Sequence, residues 1–513
     1  MSRTRLAVQD PSDVSVPGTF GSVSLYRRPS PGRGEWALET TLRVEGGFPG
    51  WLGNSGVALN EDTLVVGAVG DTELGGDAGA AYVFQQALLD SDAWHLTQKL
   101  LAPDGGRVDT FGNEVAIDGE WLFVGAMFHS FFGRRRGAVY VYRRTDNEAA
   151  PWAFFQELEP ESLHFGSAFG SSITLSGNSA VVGAPKSNLG TLGGGALYTF
   201  DWNGLEWVES GYLAPPGLDS NDDFGIGLAR SGDWLFAGAE EDDDLASNAG
   251  AVYVFRRVEG QWVLHQKLLA EGGKSGEGFG VSLAAETNHL YVGSPFVSEK
   301  GPSAGTVYTF EFEPITQQWL QVARYFPPDL DQKDFLGGSV AVEDGVVAAG
   351  AVKSLEPGAV YLFSARPGRG VSTYCTASSG SVPDCAPALE TLGAPSASQG
   401  STFRVWSQTV PGAQNGVVLY TGAGPARPDL AASGACLPST NPKRKGLFWS
   451  GGTFGQCDGT FLLDWNEFVD DRDPDASLLR TPGAVVHLQI AWFDPLVPGP
   501  LAWSDALAFQ LCP

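Results

Sequence analysis

The stretch FGNEVAIDGEWLFVGA, Phe111 to Ala126, decides the fold. It reads as two short strands around a tight turn, opened by Phe-Gly and closed by Gly-Ala. The pattern recurs. Phe169 begins FGSSITLSGNSAVVGA, Phe224 begins FGIGLARSGDWLFAGA and Phe279 begins FGVSLAAETNHLYVGS. Looser copies start at Leu52 and Leu336. The closing glycines are Gly67, Gly125, Gly183, Gly238, Gly293 and Gly350, spaced by 58, 58, 55, 55 and 57 residues.

Two further elements keep this beat. One is Gly-x-x-Tyr-x-Phe/Tyr, starting at Gly79, Gly137, Gly195, Gly250, Gly305 and Gly358. The other is a strand led by Trp36, Trp94, Trp152, Trp207, Trp262 or Trp319, with spacings that match the glycines. Each unit therefore holds four short strands: A (Phe-Gly), B (ending Gly-Ala), C (Gly-x-x-Tyr) and D (Trp). Four antiparallel strands are the content of a propeller blade. One blade cannot bury both faces alone, so the units must stack in a ring. The repeated Phe, Tyr and Trp are read as packing between blades.

These residues resemble the FG-GAP repeats of integrin α-chain-like β-propellers in their bacterial form, from Leu6 to Phe363. In that family Phe-Gly starts the inner strand and Gly-Ala-Pro ends the next. Here only Pro185 completes the triplet, and Gly293-Ser294-Pro295 is a near match. The family's calcium loops, of form DxDxDG, lie between A and B. This chain has only DGE, SGN, SGD or ETN there, so the resemblance carries no calcium to those turns.

The first residues enter the repeat partway: RLAV at Arg5 fits strand B, and GSVSLYRR from Gly21 fits strand C. The repeats end on strand C at GAVYLF. The expectation is an all-β chain with a seven-bladed β-propeller over residues 1–365, its first blade lacking A and its last lacking D. An upstream D-plus-A segment would repair both blades, so Met1 is read as an internal start, with a signal peptide missing; the rival reading is a true start with the ring left imperfect. Residues 366–371 read as a linker. Residues 372–513, with alternating runs between Gly/Pro turns, are expected to form a β-sandwich.

All five cysteines, Cys375, Cys385, Cys436, Cys457 and Cys512, lie in that last part. Clustered cysteines suggest disulfides and an oxidising compartment; their connectivity is open. The tail's pattern resembles a C-terminal module of secreted bacterial proteins, which implies export. A net charge of −27 argues against nucleic-acid or anionic-membrane partners. No 18-residue apolar run marks a transmembrane helix.

Long, varied loops on a rigid scaffold are where binding resides. Here those are the B–C and D–A connections, which leave a blade on one face. The loop Met127 to Gly137 sets Phe128, Phe131 and Phe132 beside Arg134, Arg135 and Arg136, residue types of interface hot spots. Asp219, Asp222 and Asp223, with Glu240, Glu241, Asp242, Asp243 and Asp244, supply oxygen ligands suited to Ca²⁺; the competing reading is a solvated charge run. Enzyme signals are poor. GPSAG at Gly301 precedes a strand rather than joining strand to helix. The six histidines, His129 among them, share no metal-ligand spacing. The sequence therefore points to a non-catalytic, extracellular or cell-surface monomer that binds a protein or glycan through the B–C/D–A face. The alternatives are a secreted lyase or hydrolase and a structural spacer. A cluster of His, Tyr, Arg and Asp or Glu converging in the central funnel would favour the enzyme.

Overall fold

The computed structural model describes most of residues 4–364, leaving out 11–12, 14–20, 29–35, 45–51, 53–54, 61, 87–92, 132–133, 148–149, 328–329 and 353–357. Beyond 364 it describes the backbone of eight strands. By contacts the chain divides into one unit of Met1–Thr309 with Arg324–Ala365 and another of Phe310–Ala323 with Arg366–Pro513.

The strands between Arg5 and Ser364 form a seven-bladed propeller. Blade 3 holds Val115–Asp118 (A), Trp121–Ala126 (B), Ala138–Arg144 (C) and Trp152–Leu158 (D), hydrogen-bonded in that order. Blades 2, 4, 5 and 6 repeat the order within residues 57–100, 172–213, 228–268 and 282–325. Among the described residues blade 1 has three strands, Arg5–Asp10, Ser22–Arg27 and Ala37–Leu42, which are B, C and D. Blade 7 also has three, Ser339–Glu343, Val346–Ala351 and Ala359–Ser364, which are A, B and C. Among the described residues, the first blade thus lacks A and the last lacks D, where the repeat count puts the gaps. Arg28 of blade 1, almost fully buried, lies 3.6 Å from Asp344 of blade 7.

Strand B is buried along its whole length in blades 2 to 5, because it lies inside the sheet with neighbouring blades on both faces. Such a strand reads as a continuous apolar run rather than an alternating one. Strand D is mostly half-exposed except at its ends. Successive D strands are tied by side-chain amides. Gln98 Nε2 donates to the Trp152 carbonyl (2.7 Å) and Gln98 Oε1 accepts the Trp152 N–H (2.9 Å). Gln156 repeats both bonds with Trp207 at 2.8 and 2.9 Å. Each glutamine so satisfies an outer-edge N–H and C=O that would otherwise lack a ladder partner.

The Phe-Gly pair is not itself in the paired part of strand A, which starts at Val115. Phe111 instead forms a parallel bridge to Gly79 of blade 2, its N–H bonded to the Ala78 carbonyl at 2.9 Å. Four more junctions repeat this: Gly137 with Phe169, Gly195 with Phe224, Gly250 with Phe279 and Gly305 with Leu336. The Phe ring packs on the tyrosine of its own strand C, as Phe169 does on Tyr198 with centroids 5.4 Å apart. The Gly that follows bonds its own strand B: Gly112 N–H donates to the Gly125 carbonyl (2.8 Å). A Cβ on Gly125 would stand 2.2 Å from the Gly170 carbonyl of blade 4. The glycines therefore let one blade's backbone touch the next.

The second unit's eight C-terminal strands form two sheets. Five strands order as Ser372–Tyr374, Leu501–Gln510, Val485–Phe493, Asn415–Thr421 and Lys443–Trp449. Three order as Glu390–Leu392, Arg404–Val410 and Gly459–Asp464. All five cysteines lie outside the described residues, as does the linker at 366–371.

Candidate functional site: the B–C and D–A loop face

The two loop families are hydrogen-bonded to each other around the propeller. The Phe128 N–H of a B–C loop donates to Asp109 of the D–A loop before it (3.3 Å). The Thr110 N–H of that D–A loop donates back to Asp77 of the preceding B–C loop (3.1 Å). Glu241 with Asp222, and Gly276 with Ser247, follow the same scheme in blades 5 and 6. B–C and D–A loops thus form one continuous surface.

The loop around Phe128 folds as a small hairpin, Ser130–Phe131 against Arg134–Arg135. Phe128 is partly exposed, Arg134 and Arg135 are exposed, and Arg136 pairs with Glu159 at 3.2 Å. The Phe131 side chain and all of Phe132 lie outside the described residues.

The acidic runs have local partners. Asp222 is buried and accepts the Asp219 N–H (2.7 Å). This is a repeated loop cap: Asp109, Ser167, Glu277 and Asp334, each two residues before Phe-Gly or its Leu-Gly equivalent, accept the N–H three residues back. Burial, then the charge of Asp242, pushes Asp222 up to about 6. Asp223 is paired with Lys186. Lys267 pairs with Asp242 (2.6 Å) and Asp244 (2.5 Å), and Asp243 accepts the Asn248 N–H. Lysine ammonium groups therefore balance much of the charge that the sequence offered to calcium.

Between blades 5 and 6 the face opens into a cleft of about 620 Å³. Glu240, Glu241, Ser247 and Asn248 line it from one B–C loop, and Ser275 and Gly276 from the D–A loop. Phe296, 42% exposed, forms its apolar side and lies over Gly278. Burial, then the charges of Asp223 and Glu241, holds the Glu240 carboxyl above its usual range.

One constellation escaped sequence reading. Blades 2, 3 and 5 each bring together the strand-C tyrosine, the fourth residue after the Gly-Ala glycine, and the fifth residue after the D tryptophan. In blade 2 these are Tyr82, Asp71 and Lys99; the tyrosine donates to Asp71 (2.7 Å) and Lys99 pairs with it (2.9 Å). Blade 5 has Tyr253, Asp242 and Lys267 in the same contacts. Blade 3 has Tyr140, His129 and Glu157. There His129 Nδ1 lies 3.0 Å from Asp109 Oδ2 and 3.2 Å from the Tyr140 hydroxyl. Its Nε2 lies 3.7 Å from Asp104 Oδ2 and 3.8 Å from Glu157 Oε1. Tyr140 donates to Asp104 Oδ1 (2.7 Å). Burial opposes charging of His129, but Asp109, Asp104 and Glu157 outweigh it and raise the imidazole above its usual range. Burial, then Asp104, raises Glu157. Among the described residues, Asp104, His129 and Glu157 are the one trio of His, Cys, Asp or Glu whose ligand atoms all lie within 4.8 Å of one another. A fixed offset from Gly-Ala and from Trp was the available signal; the spacing of the histidines among themselves carries none.

The sequence matches the family model described as FG-GAP repeat over residues 52–84, 94–142, 152–200, 207–255 and 262–310. No curated protein matches it. Similar solved structures include the periplasmic gluconolactonase PpgL of Pseudomonas aeruginosa, 13% identical over 71% of this chain and 100% of that one, with a TM-score of 0.42. Sqt1 of Saccharomyces cerevisiae is 12% identical over 79% of this chain and 91% of that one, with a TM-score of 0.41.

Proposed function

Since this chain belongs to the FG-GAP repeat β-propellers, we propose that it is a binding protein of the extracellular space or cell surface that takes a glycan on its B–C/D–A face. The observation that carries this reading is the cleft between blades 5 and 6. A sugar ring needs an apolar platform for its C–H face and acceptors for its hydroxyls. Phe296 offers the first; Glu240, Glu241, Ser247 and Asn248 offer the second. The exposed Arg134 and Arg135 extend the same face, and a protein ligand would use them.

A glycan array probed with the full-length chain tests the reading. We expect a retained glycan, and roughly tenfold weaker binding for Phe296→Ala, the scale of one lost aromatic contact. No retained glycan, or equal binding by Phe296→Ala, would overturn it. The hydrolase reading draws on a different observation, the convergence of His129, Tyr140, Asp104 and Glu157 in blade 3.

A further inference from the structure

The blade-3 cluster differs from those of blades 2, 5 and 6 in the sign of a charge. At the fifth residue after the D tryptophan, blade 2 has Lys99, blade 5 Lys267 and blade 6 Arg324. The pairing registers coincide: Tyr82 opposes Lys99, Tyr253 opposes Lys267, and Tyr140 opposes Glu157. In blades 2 and 5 an ammonium sits among carboxylates: Lys99 with Asp71 and Glu73 (2.9 and 2.6 Å), Lys267 with Asp242 and Asp244. Arg324 pairs with Glu299 at 3.0 Å. Blades 2, 5 and 6 thus hold a side-chain cation at this position, and blade 4 has Tyr212 there. In blade 3 the lysine is replaced by Glu157, the aspartate by His129, and Asp104 is added from the D–A loop.

We propose that Asp104, His129 and Glu157 bind one divalent transition-metal ion of the zinc type in the place that the lysine ammonium holds in blades 2 and 5. His129 is 96% buried, and its Nδ1 faces the buried carboxylate of Asp109. A carboxylate there fixes the hydrogen on Nδ1 and turns the Nε2 lone pair towards Asp104 and Glu157. Asp109 is therefore a positioning residue, and the arrangement is the carboxylate–histidine–metal relay of metal centres. Asp104 spends one oxygen on the Tyr140 hydroxyl and leaves Oδ2 for the ion. One imidazole nitrogen and two carboxylates suit Zn²⁺, which takes three protein ligands and one exchangeable position. They suit Ca²⁺ poorly, since it takes six to eight oxygens. Asp104 is half-exposed, so the ion has a way in.

The test is equilibrium dialysis of the full-length chain against Zn²⁺, with bound metal counted by mass spectrometry. The key variant is Glu157→Lys, which installs the ammonium that blades 2 and 5 already accommodate, so the fold is expected to hold; thermal unfolding checks this. Wild type is expected to bind one equivalent more than Glu157→Lys, whatever the tail cysteines bind in both. Asp109→Asn is expected to weaken that equivalent about 10- to 100-fold. Equal zinc counts in wild type and a folded Glu157→Lys would overturn the proposal. So would displacement of that equivalent by equimolar Ca²⁺. Should Glu157→Lys fail to fold, Asp104→Asn is the second variant: at least tenfold weaker binding of the same equivalent supports the site, and unchanged binding overturns it.

Discussion

Replacing Gly137 by alanine is expected to destabilise the propeller by about 3–5 kcal/mol, read as a lower denaturant midpoint of tryptophan fluorescence. Two costs add. The backbone there has φ +89°, a conformation that an L side chain adopts at a cost of about 1–2 kcal/mol. A Cβ would also stand 2.1 Å from the Phe169 carbonyl and 2.6 Å from its nitrogen, so blades 3 and 4 would have to separate. Gly119→Ala is the control. Gly119 has φ +57° in the A–B turn, with nothing within 4 Å of its Cβ position. It is expected to lose only about 1 kcal/mol, the conformational part alone. Equal losses in the two variants would mean that the glycines are kept for turn geometry and not for contact between blades.

Phe169→Ala is expected to cost about 3–5 kcal/mol, since the ring is wholly buried between blades 3 and 4. It packs edge-on to Tyr198 and against Phe200, among Val139, Val182 and Trp207. Blades that touch only their neighbours cannot collapse far into the gap, because their backbones already meet at Gly125 and Gly170. A loss below about 1 kcal/mol would show that the ring is not part of the junction. The same midpoint measurement decides this.

The propeller was legible because its period is written three times over. The Gly-Ala glycines, the Gly-x-x-Tyr strands and the D tryptophans share one spacing, and each answers to a distinct physical demand. The glycines serve backbone contact, the tyrosines interior packing and the tryptophans the outer edge. Even the incomplete first and last blades follow from counting strands. The Phe-Gly pair is subtler. It looks like the start of strand A, but its hydrogen bonds run across to the preceding blade, and paired strand A begins at Val115. Local pattern could not separate those roles, because the partner lies about 30 residues earlier in the chain at Gly79.

The site was legible in part. The loop families that vary in length do interlace on one surface. Which loop residues converge there was not readable, because convergence depends on register between strands. Asp222 illustrates the point: in sequence it is one of a run of acids, and in the fold it closes its own loop. His129 illustrates the converse. It looks solitary in sequence, and only the alignment of Tyr140 with Glu157 and the reach of Asp104 and Asp109 give it company.

The central claim is that recognition belongs to the loop face and that the repeated strands are scaffold. Hydrogen–deuterium exchange of the full-length chain, with and without the glycan retained on the array, tests it most directly. Added protection is expected at residues 240–248 and 275–278, with none at the A–B turns around Gly119, Gly177 and Gly232. Protection centred on those turns, with residues 240–248 unchanged, would contradict it.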